Sequence, residues 1–174
     1  MDIDTLFALG IRVGGKLVAR GETIAVAESS AGGLISAALL ARAGASTYYF
    51  GGAVLYTRRS RRLLTTLTSD DTVGMRSSSL PYAQLLARHQ RERFRASWGL
   101  AETGAAGPAG NTYGDPAGHT CLAVDGPVTR EHMLRTDQDD RPRNMIAFAM
   151  AALELLEDAL DATPGVGTSN SQRD

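Results

Sequence analysis

A β-branched, apolar run that stops at two serines and reopens as an alanine- and leucine-rich helix constrains this chain more than any other stretch. It is residues 23–33, TIAVAESSAGG. A buried strand that turns at once into a helix is the unit of a parallel sheet, and its carboxyl edge turns short polar side chains and free backbone N–H groups toward one crevice. Glu28, Ser29, Ser30, Gly32 and Gly33 occupy that edge. The serines have two readings at this point. One of them holds an anion or attacks a substrate, or one simply caps the helix while the glycine pair lets helix and strand pack closely.

Elements of the same kind follow along the chain. Residues 4–20 space Leu6, Leu9, Val13 and Leu17 three and four apart, an amphipathic helix that closes near Gly21. Within it, residues 10–16 imitate a phosphate-binding loop, but Leu17 stands where a magnesium-binding Ser or Thr would and no strand precedes the glycines. The pattern predicts strands at 23–28, near 52–56, at 96–102, 119–124 and 128–135, the last two joined as a hairpin by Asp125-Gly126-Pro127. Helices are predicted at 33–43, 58–64, 80–95 and 141–161, with Thr57 capping the second and Pro81 in the first turn of the third. Residues 65–78 lack an apolar period and read as loop. Alternating strands and helices followed by a hairpin make an α/β fold, with a mixed, mostly parallel sheet covered by helices on both faces.

Length and composition narrow the function. A chain of 174 residues with 43% apolar residues buries a core of its own as a single domain, taken as residues 1–162 with 163–174 as a polar, frayed tail. A net charge of −1 provides no broad basic field for nucleic acid. One cysteine, Cys121, excludes an internal disulfide, and no apolar run approaches the roughly 18 residues of a membrane span. The first residues, MDIDTLFALG, do not resemble a signal peptide, so a cytoplasmic location is expected. His119 and Cys121 share a strand face as a metal pair would, but no third ligand is evident, and neither a metal nor a cofactor is expected. The basic residues are unusual: seventeen of the eighteen are arginine, and four of them fall in the five positions 58–62. Like charges on barely one helical turn repel unless an anion or an acidic partner lies near, or the face is simply solvated. A second glycine-rich segment, residues 103–114, follows a strand just as Ser29 does and can present N–H groups to a phosphate or an oxyanion.

Five blocks in register, AESSAGG at 27–33, GGAVLYT at 51–57, ETGAAGP at 102–108, DPAGHT at 115–120 and DR at 140–141, resemble the CinA carboxy-terminal domain family. The resemblance implies a three-layer α/β/α sandwich. It also implies the activity of the family's active members, nicotinamide mononucleotide deamidation, in which the ring carboxamide is hydrolysed to a carboxylate and ammonia leaves. By position it puts a nucleophilic serine at Ser29, a proton-relaying tyrosine at Tyr56, an oxyanion- or phosphate-holding loop at Thr103, Gly104, Ala106 and Gly107, and further substrate contacts at Glu28, Ser30, Gly32, Gly33, Ser79 and Arg141. The implied partner is a small-molecule nucleotide, not a nucleic acid or a membrane, and a homo-oligomer is left open.

Three positions depart from the family pattern. Arg61 stands where the family has its catalytic lysine, and a guanidinium, unlike a neutral amine, cannot take the serine proton. Ser30-Ala31 replaces a Cys-Thr pair, and Met145 stands where a second arginine often follows the one matching Arg141. If hydrolysis persists, Glu28 or His119 is the candidate replacement base. Otherwise the chain is a nucleotide-binding or sensing module that keeps the pocket and has lost the base.

Overall fold

The computed structural model describes residues 2–165. Helix α1 (Ile3–Arg20) begins at Asp2, whose carboxylate accepts the Thr5 N–H at 2.8 Å, and ends at Gly21 in the left-handed region. The expected stripe of Leu6, Leu9, Val13 and Leu17 is buried. Gly10 lies on that stripe for a steric reason, since a Cβ there would come within 2.2 Å of the Ala38 carbonyl oxygen. The apparent phosphate loop is therefore a helix face pressed against the next helix.

The remaining α-helices and strands among the described residues are β1 (Ile24–Glu28), α2 (Leu34–Leu40), β2 (Tyr49–Val54), α3 (Arg58–Leu64), α4 (Leu80–Phe94), β3 (Trp98–Ala105), β4 (His119–Asp125), β5 (Arg130–Arg135) and α5 (Arg141–Asp161), with short 3-10 turns at Ala45–Thr47 and Asp70–Thr72. The sheet order is β2-β1-β3-β4-β5. The β1–β2 and β1–β3 pairs are parallel, whereas β3–β4 and β4–β5 are antiparallel, so β4 alone opposes the other four strands. Helices α1, α2 and α5 cover one face around Ile24, Val26, Leu100, Leu122 and Phe148. Helix α4 covers the other over Ala27, Ala101 and Ala123. Small residues on that second face let α4 approach closely: a Cβ on Gly99 would lie 1.9 Å from the Ala87 carbonyl oxygen. This is a three-layer α/β/α sandwich with a mixed sheet, and among the described residues no helix is long and apolar enough to cross a membrane.

Several expected boundaries move. The second strand lies at Tyr49–Val54 rather than near 52–56, with its glycine pair inside it. Gly51, at φ +150°, leaves room for the Phe94 ring, and Gly52 does the same for the Tyr49 and Ser36 side chains. The third strand begins at Trp98 and continues to Ala105, so that Thr103, Gly104 and Ala105, expected in a loop, pair with Cys121, Thr120 and His119. Tertiary pairing overrides the local glycine signal there, because β4 completes the ladder. Helix α2 stops at Leu40, short of residue 43, and β5 starts at Arg130 rather than 128. Of the expected tail, residues 166–174 lie outside the described residues. Thr163 is tied down, its carbonyl accepting from Arg20 Nη1 at 2.7 Å.

Candidate functional site

The strand ends set the floor of the site. Glu28 ends β1 and Glu102 lies within the neighbouring β3, and each buried carboxylate is saturated by donors. Glu28 accepts the N–H groups of Gly33 (2.9 Å), Ile35 (3.0 Å) and Ser36 (2.8 Å) and the Ser36 hydroxyl (2.5 Å). Burial raises its pKa, and the Ser36 and Ile35 hydrogen bonds oppose the rise. Glu102 accepts the N–H groups of Ser29 (3.0 Å) and Ala31 (2.8 Å) and the hydroxyls of Ser30 (2.5 Å) and Thr120 (2.9 Å). The two serines thus separate. Ser30 is 3% exposed and bonded to Glu102, whereas Ser29 is half-buried, lines the cleft and makes no hydroxyl hydrogen bond among the described residues.

Above this floor opens a cleft of about 1240 Å³, large enough for a mononucleotide. One wall is α3. Thr57 and Ser60 form a reciprocal capping box that fixes its first turn, with the Ser60 N–H donating to Thr57 Oγ1 at 3.0 Å and the Thr57 N–H to Ser60 Oγ at 2.9 Å. No residue of this helix is buried, and Arg58, Arg61 and Arg62 line the cleft from it. Arg61 Nε is shut off from solvent without a hydrogen-bond partner. Two phenols lie against this wall. Burial raises the pKa of Tyr82, with the Arg61 charge acting the other way. Hydrogen bonds with Ser77 and Arg58 lower that of Tyr113. Arg76 also lines the cleft, but it is balanced by a two-pronged pair with Asp115, whose second contact is 3.0 Å.

Arg141, the first residue of α5, joins two further segments of the lining: Nη1 donates to the Gly107 carbonyl at 2.7 Å and Nη2 to the Tyr56 hydroxyl at 2.9 Å. Its guanidinium also lies 5.7 Å from the centroid of the Tyr56 ring. Thr103, Gly104, Ala106 and Gly107 border the cleft beside it. Gly104 has no room for a side chain, since a Cβ would lie 2.4 Å from the His119 carbonyl oxygen. Asn144 secures this border from behind, donating to the Ala106 carbonyl at 2.8 Å and the Gln138 carbonyl at 2.9 Å.

Ser29, Ser30, Tyr56, Arg61, the 103–107 segment and Arg141 therefore meet in one cleft. Glu28, Gly32, Gly33 and Ser79 do not line it: the first three lie beneath its surface in the floor, and the Ser79 hydroxyl donates to the Arg76 carbonyl at 2.7 Å. His119 is also outside it, 1% exposed, with Nε2 2.9 Å from the Ser78 carbonyl and 3.6 Å from Asp115. Cys121 donates to the same Ser78 carbonyl, and burial together with the Asp115 charge pushes its thiol up to about 11. Among the described residues no group of three or more His, Cys, Asp or Glu side chains is placed to hold a metal ion. Sequence reading missed Glu102, Arg76, Tyr82, Tyr113 and Asn144. Only Glu102 left a signal, because Ala-Glu-Ser at 27–29 recurs as Ala-Glu-Thr at 101–103.

The model of the CinA C-terminal domain matches residues 8–160. A CinA-like protein of Anaeromyxobacter sp. (strain K) is 36% identical over 145 residues, covering 83% of this chain and 36% of its own length. Another from Synechococcus sp. (strain CC9902) is 38% identical over 125 residues, covering 72% of this chain and 29% of its own. This chain thus spans about a third of the length of these curated relatives. Among solved structures, the competence/damage inducible protein CihA from Agrobacterium tumefaciens superposes with a TM-score of 0.81 at 30% identity, covering 90% of this chain and 95% of that one. A CinA superfamily protein from Klebsiella pneumoniae 700603 gives 0.83 at 25%, covering 91% and 99%. By sequence and by fold, the chain belongs to the CinA C-terminal domain family.

Proposed function

We propose that this cleft is an amidohydrolase-type site that binds a pyridine mononucleotide and holds it without hydrolysing it. The observation that carries the reading is the composition of the lining: five arginines, 58, 61, 62, 76 and 141, and among the described residues no Asp, Glu, His or Lys. Guanidinium groups bind a phosphate by paired hydrogen bonds, and Arg61 Nε is a donor with no acceptor of its own. The phosphate belongs on the α3 wall and the pyridine ring near Ser29. Attack by the Ser29 hydroxyl needs a group that takes its proton, and the two candidate replacements, Glu28 and His119, lie outside the cleft.

A second reading, hydrolysis with Ser29 as nucleophile and Tyr56 relaying the proton, has support of its own. The Ser29 hydroxyl is uncommitted, and the Tyr56 hydroxyl borders the same cleft, accepting from Arg141 Nη2 at 2.9 Å. One experiment separates the two. The purified protein is incubated with nicotinamide mononucleotide while thermal stability and ammonia are followed, with Ser29→Ala as control. Stabilisation with intact ligand is expected. Ammonia release well above the Ser29→Ala control would replace the first reading with the second.

A further inference from the structure

Resting on the mononucleotide reading, we infer that the cleft prefers the acid form of the ligand, a phosphate monoester that also carries a ring carboxylate, over the carboxamide form. The argument is the placement of unbalanced charge. Arg76 is neutralised by Asp115, and Arg58 leans on the Tyr113 phenol. Arg61 and Arg62 on α3, and Arg141 at the start of α5, form no ion pair with a carboxylate among the described residues. Positive charge therefore stands on two elements, α3 and the first residue of α5 beside its Asp140 cap.

One phosphate satisfies one of these places. The ring of a nicotinamide mononucleotide is itself cationic, so setting it toward Arg141 brings like charges together in a cleft whose lining holds no carboxylate to offset them. A ring carboxylate cancels the ring charge and offers a charged acceptor to the guanidinium, which makes a hydrogen bond about twice as strong as a neutral one. Arg141 is ready for such a contact because the Gly107 carbonyl and the Tyr56 hydroxyl already hold its fork in place. The same preference would make an enzyme at this site hold its own product, which agrees with a site that senses the acid.

Equilibrium dialysis with nicotinamide mononucleotide and nicotinate mononucleotide, quantified by mass spectrometry so that each ligand is known to be intact, tests the inference. The acid form is expected to bind about tenfold or more tightly, one factor of ten being about 1.4 kcal/mol. Arg141→Met should collapse the ratio toward one, whereas Arg61→Met should weaken both ligands alike. Arg141→Lys, which keeps the charge and loses the fork, should retain part of the preference and guards against a folding defect in the first variant. Equal affinities in the native protein, tighter binding of the amide, or a ratio unchanged in Arg141→Met would overturn the inference while leaving the mononucleotide reading standing. Binding of neither ligand would overturn both.

Discussion

The two regions that meet in the cleft are built on opposite principles. The turn after β1 is held by carboxylates, each receiving four donors, and it is complete without any ligand. The α3 wall has no buried residue, carries four arginines in seven positions and leaves Arg61 Nε unpaired. Burial and hydrogen bonding fix the first, so its geometry belongs to the folded state. The second keeps a buried donor to spare, Arg61 Nε. A change in the floor should therefore register as stability, and a change in the wall as affinity.

The sharpest break of this contrast is Glu102→Ala. Removing the carboxylate leaves the Ser29 and Ala31 N–H groups and the Ser30 hydroxyl without acceptors, Thr120 keeping the Thr103 carbonyl, and the expected loss is about 4 kcal/mol in urea denaturation. A loss under about 1 kcal/mol would mean that the floor is not held in this way. Next comes the wall. Arg61→Met should leave the urea midpoint almost unchanged and weaken mononucleotide binding by about 10- to 100-fold, as expected for one charge-assisted contact of about 1.5–3 kcal/mol. Arg61→Lys should also weaken binding and release no ammonia. A gain of deamidation there would identify Arg61 as a disabled base rather than an anion clamp.

Thr57→Ala tests whether the wall depends on its own cap. Losing the capping box should cost about 1 kcal/mol, and if α3 frays without unfolding the core, ligand affinity should fall a few-fold while the far-ultraviolet spectrum changes little. The smallest effect near neutrality concerns a region remote from both. Arg12 first, then Lys16, hold Glu157 down to about 2 from its ordinary 4.5, with burial opposing them. A carboxylate depressed by folding adds stability that is fully present above pH 4.5 and is lost as pH falls toward 2. Glu157→Gln should flatten that limb of the acid-unfolding curve and leave mononucleotide binding at pH 7 unchanged. A change in binding would show that the remote ion pairs couple to the cleft.

Much of the site was legible because local chemistry decides it. Ser29 follows directly from a strand that runs into Ala-Glu-Ser-Ser, and Thr57 ahead of the arginine cluster predicts where α3 begins. Tyr113 and Tyr82 were not legible, since one sits in a glycine-rich loop and the other on an ordinary helix face, and only the third dimension brings both against Arg58 and Arg61. Glu28 was read as a substrate contact. Its donors all come from the turn five to eight residues ahead, a closure that depends on the φ of Gly32 and Gly33, +68° and +100°.

What the sequence determined by itself was the order and kind of the elements, through the helical stripe of α1, the strand-turn-serine edge of β1 and the hairpin around Asp125-Gly126-Pro127. These depend on periodicity and on turn residues, which act over a few positions. Only the tertiary structure decided that Thr103–Ala105 join the sheet, that Ser30 is spoken for by Glu102 while Ser29 is not, and that five arginines from three parts of the chain face one cleft without a base beside them. Those outcomes depend on which groups lie opposite one another after folding: a hydrogen-bond donor is committed or free only relative to partners 70 and more residues away.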